Sequence, residues 1–400
     1  MPPRAIQLSA ATAAQVLAGH TVLAIGEFPA QGPSLDPGRP LLLLDPQSEA
    51  VATAVADPEN DVVRILSREN IERFDEPFFR RRVGAAWRWR QSLGLGTAET
   101  SAYRLLNGAG DGVSGFSADV CGDYAVLYSY SRGLRALGRV LAQAICSVVG
   151  VQGVVLKTRP RHGAKVSKVQ QEVIGDAPPE KYIVHESGIP YEVHLLGGLN
   201  VGLFTDMRLH RRDLHALVGD RHVLNLFSYT GSLSVIAARA GAKSVTSVDL
   251  AAGVHQWARK NFVLSELQPD SASYRFETSD VGRFLDHEIE RGAHYDLVIC
   301  DPPAVSAVRP SRWSMKNDYA AVIAASVRLL PDDCGGILWL AANARRGPAL
   351  TRHIEDALRG TECVATVIAC GGLPPECPTL LTEPGERYLD VVQLRVDARL

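Results

Sequence analysis

A chain of 400 residues, 46% hydrophobic and 22% charged, has the composition of a globular protein long enough for two or three cores. Its formal net charge of -2 excludes a uniformly basic polyanion binder, so any nucleic-acid surface must be local. No run approaches the roughly 18 uninterrupted apolar residues of a spanning helix. The seven scattered cysteines contain no C-x-x-C pair, so neither a disulfide framework nor a metal site is expected.

The opening "MPPRAIQLSAATAAQVLAGH" lacks a basic leader followed by a sustained apolar core, and a cytoplasmic protein with no membrane partner is expected. Residues 1–72 read as short strands, with "LLLL" and "VVRIL" as apolar runs broken by "PAQGPSLDPGRP" and "ADPEND", which predicts a small β-rich module. A helical pattern from about Ile71, "IERFDEPFFRRRVGAAWRWRQSLG", leads into a central α+β domain over 73–189. Its strands surround the Gly-rich turn of "YRLLNGAGDGVSGFSADVCGDYAVLYSY", and a helix and the strand "GVVLKTR" follow.

Two groups of basic residues lie in this domain. Between Ser131 and Gln170 stand Arg132, Arg135, Arg139, Lys157, Arg159, Arg161, Lys165 and Lys168 with no acid among them. Arg80, Arg81, Arg82, Arg88 and Arg90 surround Trp87 and Trp89. Either group suits a phosphate-binding face, because cations near phosphates displace counterions; either also suits a solvated surface with the tryptophans turned to a core.

From residue 190 to 400 strands and helices alternate, beginning with "HVLNLF", "GSLSVIAARAGA" and "SVTSVDL". That order predicts a doubly wound, Rossmann-like α/β sheet with ligands beyond the carboxyl ends of its strands, and a closing strand that is a candidate for antiparallel pairing. The first turn, "FSYTGSLS", carries the single glycine Gly231 rather than G-x-G-x-x-G, so it is not built around a pyrophosphate. Asp249 ends the second strand, where a carboxylate can take both ribose hydroxyls, and Asp280 follows the third, within reach of an adenine edge. The fourth strand ends in Asp301-Pro302-Pro303, a rigid lip whose carbonyls are expected to stay free for a substrate. Each acid alone also reads as a helix cap; together they favour an S-adenosylmethionine site.

The motifs "GHTVLAIGEF", "YRLLNGAGDGVSGFSADVCGDYAVL", "GLFTDMRLHRR", "NLFSYTGSLSVIAARAGAKSVTSVDL", "DPPAV" and "LPPECPTLLTEPGERYLDVVQLRV" run in order along nearly the whole chain. The chain resembles the class I rRNA methyltransferases with an N-terminal PUA domain, typified by the large-subunit-rRNA cytosine-5 methyltransferases. The resemblance implies a PUA-like RNA-binding domain over 1–72, a methyltransferase domain over 190–400, S-adenosylmethionine as cofactor and RNA as partner, and it leaves a homodimer open. It assigns cofactor contacts to Arg208, Asn225, Phe227, Tyr229, Gly231, Asp249, Leu250, Asp280 and Asp301, and catalysis to Asp301, Pro302 and Pro303. Arg208 reads equally well as a surface salt bridge to Asp206 or Asp213. Arg159, Arg161, Lys165 and Lys168 are the candidate RNA contacts.

Two positions depart from the pattern. Cytosine C5 methylation needs a thiolate adding at C6, yet Ala341, Ala342 and Asn343 stand where a cysteine-bearing turn is expected after the fifth strand. Cys300 precedes Asp301, but strand parity turns it to the opposite face. Val305 stands where the family usually has Phe, which removes an expected partner for a flipped base. The readings that remain are an RNA methyltransferase acting at cytosine C5, the family default; one acting at guanine N7 or an exocyclic amine; and a binding protein that has lost catalysis. A nicotinamide oxidoreductase is disfavoured by the single-glycine turn.

Overall fold

The computed structural model describes residues 3–28, 35–159, 169–306, 313–331, 335–343 and 349–398. Its contacts separate two units: Met1–Gly188 with Val193–Asp206 and Pro375–Glu386, and Ile189–Glu192 with Met207–Pro374 and Arg387–Leu400.

In the first unit, β1 (Arg4–Gln7), β2 (Val22–Ala24), β3 (Pro40–Leu44), β4 (Ala50–Asp57) and β5 (Val62–Ser67) form a sheet in the order β1-β3-β4-β5-β2. A helix absent from the strand-rich sequence reading, α1 (Ala10–Ala18), starts where the Ser9 side chain accepts the Thr12 N–H and ends at left-handed Gly19. Ile6, Val16, Leu23, Leu43 and Val63 close a core of their own.

α2 (Glu76–Ser92) follows, capped by Asp75. A second sheet then runs β10-β9-β8-β7-β6, from β6 (Ala102–Asn107), β7 (Phe116–Cys121), β8 (Tyr124–Ser129), β9 (Gly153–Thr158) and β10 (Gln170–Gly175). Only the β8–β9 pair is parallel, because α3 (Arg135–Val149) carries the chain back between them. The Gly-rich signature is a structural tie within this unit. Asn107 and Gly110 close on the distant 375–386 segment: the Asn107 amide donates to the Pro378 carbonyl at 3.0 Å, and a Cβ on Gly110 would lie 1.9 Å from that oxygen. Buried Arg90 holds Asp111 at 2.5 and 2.7 Å and the Glu376 carbonyl at 2.7 Å, so this interior cation is fully partnered.

The gap in acids between Ser131 and Gln170 does not leave a bare cationic face. Glu59 reaches Arg132 at 3.8 Å, and Glu172 meets Arg135 at 3.0 Å and Arg139 at 2.9 Å. Lys157 is buried, its Nζ donating to the Gly198 carbonyl at 2.5 Å. Burial is the main cause that lowers its ammonium to about 8, the Arg159 charge adding to it.

β11 (Tyr182–Glu186) and β12 (Ile189–Val193) come next in the chain. The second unit is built on β13 (His222–Leu226), β14 (Ser244–Asp249), β15 (Tyr274–Thr278), β16 (Leu297–Cys300), β19 (Gly336–Asn343), β20 (Cys363–Gly371) and β21 (Leu389–Ala398), with the short hairpin β17 (Val305–Ser306) and β18 (Trp313–Ser314). The sheet order is β15-β14-β13-β16-β19-β21-β20. The first five strands in this order are parallel, and β21 runs antiparallel to both neighbours. Among the described residues six helices wind it: α4 (Arg208–Val218), α5 (Ser232–Arg239), α6 (Ala252–Leu264), α7 (Val281–Glu290), α8 (Met315–Val327) and α9 (Leu350–Leu358). Leu224, Leu226, Val298, Cys300, Leu338 and Leu340 pack one face against Phe284, Tyr319, Ile323 and Ile354. On the other face Trp339 meets the His210 ring of α4 at 6.3 Å. The chain proceeds outward from β13 to β15 and returns to β16 on the other side of β13. The carboxyl ends of β13 and β16 are therefore the switch point of the sheet, where such folds leave a crevice.

Candidate active site

The glycine turn after β13 and the Asp301-Pro302-Pro303 lip after β16 both stand at that switch point. The turn after β13 takes left-handed backbone at Phe227 (φ 57°), Tyr229 (φ 47°) and Gly231 (φ 75°), alternating with residues that do not. Gly231 is required twice over, because a Cβ there would also lie 2.9 Å from the Cβ of Ala258. For Phe227 and Tyr229 the conformation costs about 1–2 kcal/mol each, and strain of this kind gathers at ligand sites. Asp249 holds the turn in place: one carboxylate oxygen accepts the Tyr229 N–H at 3.0 Å and the other the Ala251 N–H at 3.0 Å. The curled backbone, the half-buried acid at the next strand end and Leu250 beside it fit an adenosyl ligand, whose ribose hydroxyls would reach the remaining lone pairs of Asp249.

The remaining candidates are distributed unevenly. Asn225 is 1% exposed, and its amide donates to Ser234 Oγ at 2.8 Å, which meets Ser247 Oγ at 2.8 Å, so it ties α5 to the sheet beneath the turn. Asp280 caps α7, a helix the sequence reading passed over, accepting the Arg283 N–H at 3.3 Å. Arg208 opens α4 and is buried, and Asp213 pairs with Arg212 at 2.8 Å. Of the RNA candidates, Arg159 lies 5.4 Å over the Tyr128 ring and donates to Asn200 at 3.2 Å; Arg161, Lys165 and Lys168 lie outside the described residues.

At the lip, Asp301 is half-buried, Pro302 buried and Pro303 exposed. The expectation of free carbonyls needs correction at Pro303, whose oxygen accepts from Trp313 Nε1 at 2.6 Å. Trp313 arrives through the β17–β18 hairpin, in which Val305 pairs with Ser314 and Ser306 with Trp313. Its ring lies 4.7 Å from that of Phe227, so one indole touches both the cofactor turn and the lip. Behind it, Tyr319 Oη lies 2.7 Å from the Ala341 carbonyl and 3.1 Å from that of Cys300, tying together the ends of β19 and β16. Sequence reasoning missed both residues. The available signal was that Trp313 is the sole aromatic between Pro303 and Tyr319. Cys300 is fully buried on the core face, and burial, reinforced by the Asp301 charge, pushes its thiol far above the ordinary range.

A parallel sheet reversing at β13, a left-handed turn after its first strand and acids at successive strand ends define a class I methyltransferase. Residues 127–385 match the S-adenosylmethionine-dependent methyltransferase family, and the chain belongs to it: it is an enzyme whose methyl donor is S-adenosylmethionine. Ribosomal RNA large subunit methyltransferase I of Erwinia tasmaniensis is 32% identical over 274 residues, 67% of each chain. A ribosomal RNA large subunit methyltransferase of Deinococcus radiodurans is 29% identical over 347 residues, 84% of each. The crystal structure of SMU.776, complexed with SAH, shares the fold with a TM-score of 0.87 at 24% identity, covering 98% of this chain and all of that one.

Proposed function

We propose that this methyltransferase modifies ribosomal RNA, and that its acceptor is a ring or exocyclic nitrogen of a base rather than C5 of cytosine. The two relatives named for large-subunit ribosomal RNA support the substrate class. The choice of atom rests on one observation: among the described residues no cysteine offers a reachable thiolate at the lip. β19 ends in Ala341-Ala342-Asn343, and Cys300 is turned into the core with its thiol held protonated by burial. Cys334 lies outside the described residues. A nitrogen lone pair needs no such activation once it is aligned with the methyl carbon.

S-adenosylmethionine supplies an electrophilic methyl group when bound. The Phe227–Gly231 turn and Asp249 hold the donor, Asp301 accepts the acceptor N–H, and Pro302 keeps the lip rigid. As the N–C bond forms, Asp301 takes the proton that an amine or ring N–H releases; an acceptor without a proton, such as guanine N7, needs only the alignment. The module over 1–72 and Arg159 serve as RNA contacts in this reading, and Asp280 reaches the adenine end of the donor. In this reading the protein works in the cytoplasm; among the described residues no helix is long and apolar enough to cross a membrane. A homodimer gains no support from the fold. Comparing ribosomal RNA nucleosides from a deletion strain and its parent by mass spectrometry tests the reading. Loss of one N-methylated base is expected; loss of 5-methylcytidine overturns the choice of atom, and an unchanged profile overturns the substrate class.

A further inference from the structure

The arginines around Trp87 and Trp89 separate into two kinds once the chain is folded. Arg90 is internal and salt-bridged to Asp111 at 2.5 Å. Arg82 lies 5.1 Å over the Phe78 ring and donates to the Leu66 carbonyl at 3.1 Å. Arg80 pairs with Glu76 at 3.7 Å. Arg81 and Arg88 are exposed, and neither has an acidic partner among the described residues.

The two tryptophans differ in the same way. Trp87 stacks on buried Tyr103, with centroids 5.7 Å apart and planes at 14°. Trp89 stays 46% exposed, yet its Nε1 donates to the Pro375 carbonyl at 2.9 Å within the same unit, so the ring is anchored while its surface stays open. At about 100° per residue, Arg88, Arg81, Ser92, Ala85 and Trp89 fall in that order across about 100° of the α2 circumference. Phe79, Val83, Ala86 and Arg90 occupy the opposite side and are buried. The outer face of α2 thus carries two uncompensated cations and one fixed indole, with Ala85, Ser92 and, in the first turn, buried Phe78 between them.

That combination selects a polyanion with flat apolar faces. A membrane surface would call for a stripe of apolar residues, and this face has a single ring. A duplex offers phosphates but keeps its bases stacked inside, whereas unpaired nucleotides offer both groups at once. We infer that Trp89, with Arg81 and Arg88, forms a platform on which an unpaired base of the RNA substrate stacks while its neighbouring phosphates are neutralised. The inference rests on the RNA reading above and adds to it an anchoring surface that the Arg159 segment does not supply.

The test uses the full-length chain and a fluorescently labelled single-stranded RNA of mixed sequence, with a duplex of equal length as comparison, read by anisotropy over a salt series. Trp89→Ala is expected to weaken single-strand binding about 5- to 150-fold, the range for loss of one stacked base, and duplex binding by less than about threefold. Trp89→Phe, which keeps a ring but loses the bond to Pro375, should stay within about threefold of the parent. Arg81→Ala with Arg88→Ala should reduce the slope of log K against log salt by about 1.4, at roughly 0.7 per phosphate on a single strand. S-adenosylhomocysteine affinity should be unchanged in all three, which also shows that each is folded. Equal losses in Trp89→Ala and Trp89→Phe would mean that the Pro375 bond, and not the ring, is what matters, and would overturn the platform. So would unaltered single-strand binding, or displacement of the RNA by polyglutamate in a Trp89-dependent way, which would assign the face to an acidic polypeptide. If the parent binds single strands tightly and the variants match it, only the platform fails; if the parent binds no RNA at all, the RNA reading fails with it.

Discussion

Replacing Trp313 by Phe separates the indole's two contacts. A phenyl ring keeps an aromatic contact for Phe227, whose ring lies tilted at 4.7 Å in the parent, and removes the Nε1 donor that meets the Pro303 carbonyl at 2.6 Å. One such bond contributes about 0.5–1.5 kcal/mol net, and because Pro303 is exposed, water can replace the donor, so the loss belongs at the low end. For a unit of this size that is a fall in Tm of less than about 4 °C. The functional effect should be larger, because the lip is then free to shift and a misplacement of about 1 Å can cost about a hundredfold in rate. Single-turnover transfer of labelled methyl to ribosomal RNA from a deletion strain should slow about 10- to 100-fold, with S-adenosylhomocysteine affinity by calorimetry within about threefold. Tyr319→Phe provides the contrast: its hydroxyl is fully buried between two strand ends, so its removal should lower stability by about 1–3 kcal/mol. A Trp313→Phe enzyme that transfers methyl within twofold of the parent, whatever its Tm, would reduce the indole to packing and refute the coupling of turn to lip.

Asp249→Ala removes both acceptors that hold the turn as well as the proposed ribose contact, and should weaken S-adenosylhomocysteine binding by about 1.5–3 kcal/mol; unchanged affinity in calorimetry would discard the assignment. Cys300→Ser should leave methyl transfer within about tenfold of the parent, Asp301→Ala should lower it about a hundredfold or more, and RNA with 5-fluorocytosine at the target should give no covalent adduct on a denaturing gel. Lys157 binds its proton less tightly when folded, at about 8, than the ordinary 10.5 of an unfolded chain. The unfolded state therefore holds more protons between those values, and stability should rise by up to about 2 kcal/mol from pH 8 to 9.5 in denaturant titrations; Lys157→Met should lack that rise, and an equal rise in both would assign it to other groups.

Much of the second unit was legible because its signals are local. Alternating apolar strands and amphipathic helices announced the doubly wound sheet, and Gly231 marks backbone that glycine adopts at least cost. Gly231 in fact has a φ of 75° and lies against Ala258. Local signals also misled. An acid at a strand end is the same letter whether it meets a ribose or caps a helix, so both readings of Asp280 stayed open while α7, the helix it caps, went unseen. The strain at Phe227 and Tyr229 was hidden, because nothing in an aromatic residue advertises left-handed backbone.

What composition and pattern determined by themselves was the alternation of strands and helices in the second unit, the position of the glycine turn after its first strand and the absence of a cysteine after the fifth, since each depends on residues within one turn or strand of one another. Tertiary structure alone decided which charges remain charges towards solvent. Glu59 and Glu172 reach arginines 73 and 37 residues away and Asp111 takes Arg90 inside, leaving Arg81 and Arg88 free of acids among the described residues. It also brought Trp313 to Phe227, 86 positions earlier, and anchored Trp89 to Pro375, 286 later. Ring contacts act over a few ångströms and screened charges over about 10 Å, both blind to sequence distance, so no reading along the chain could have assigned them.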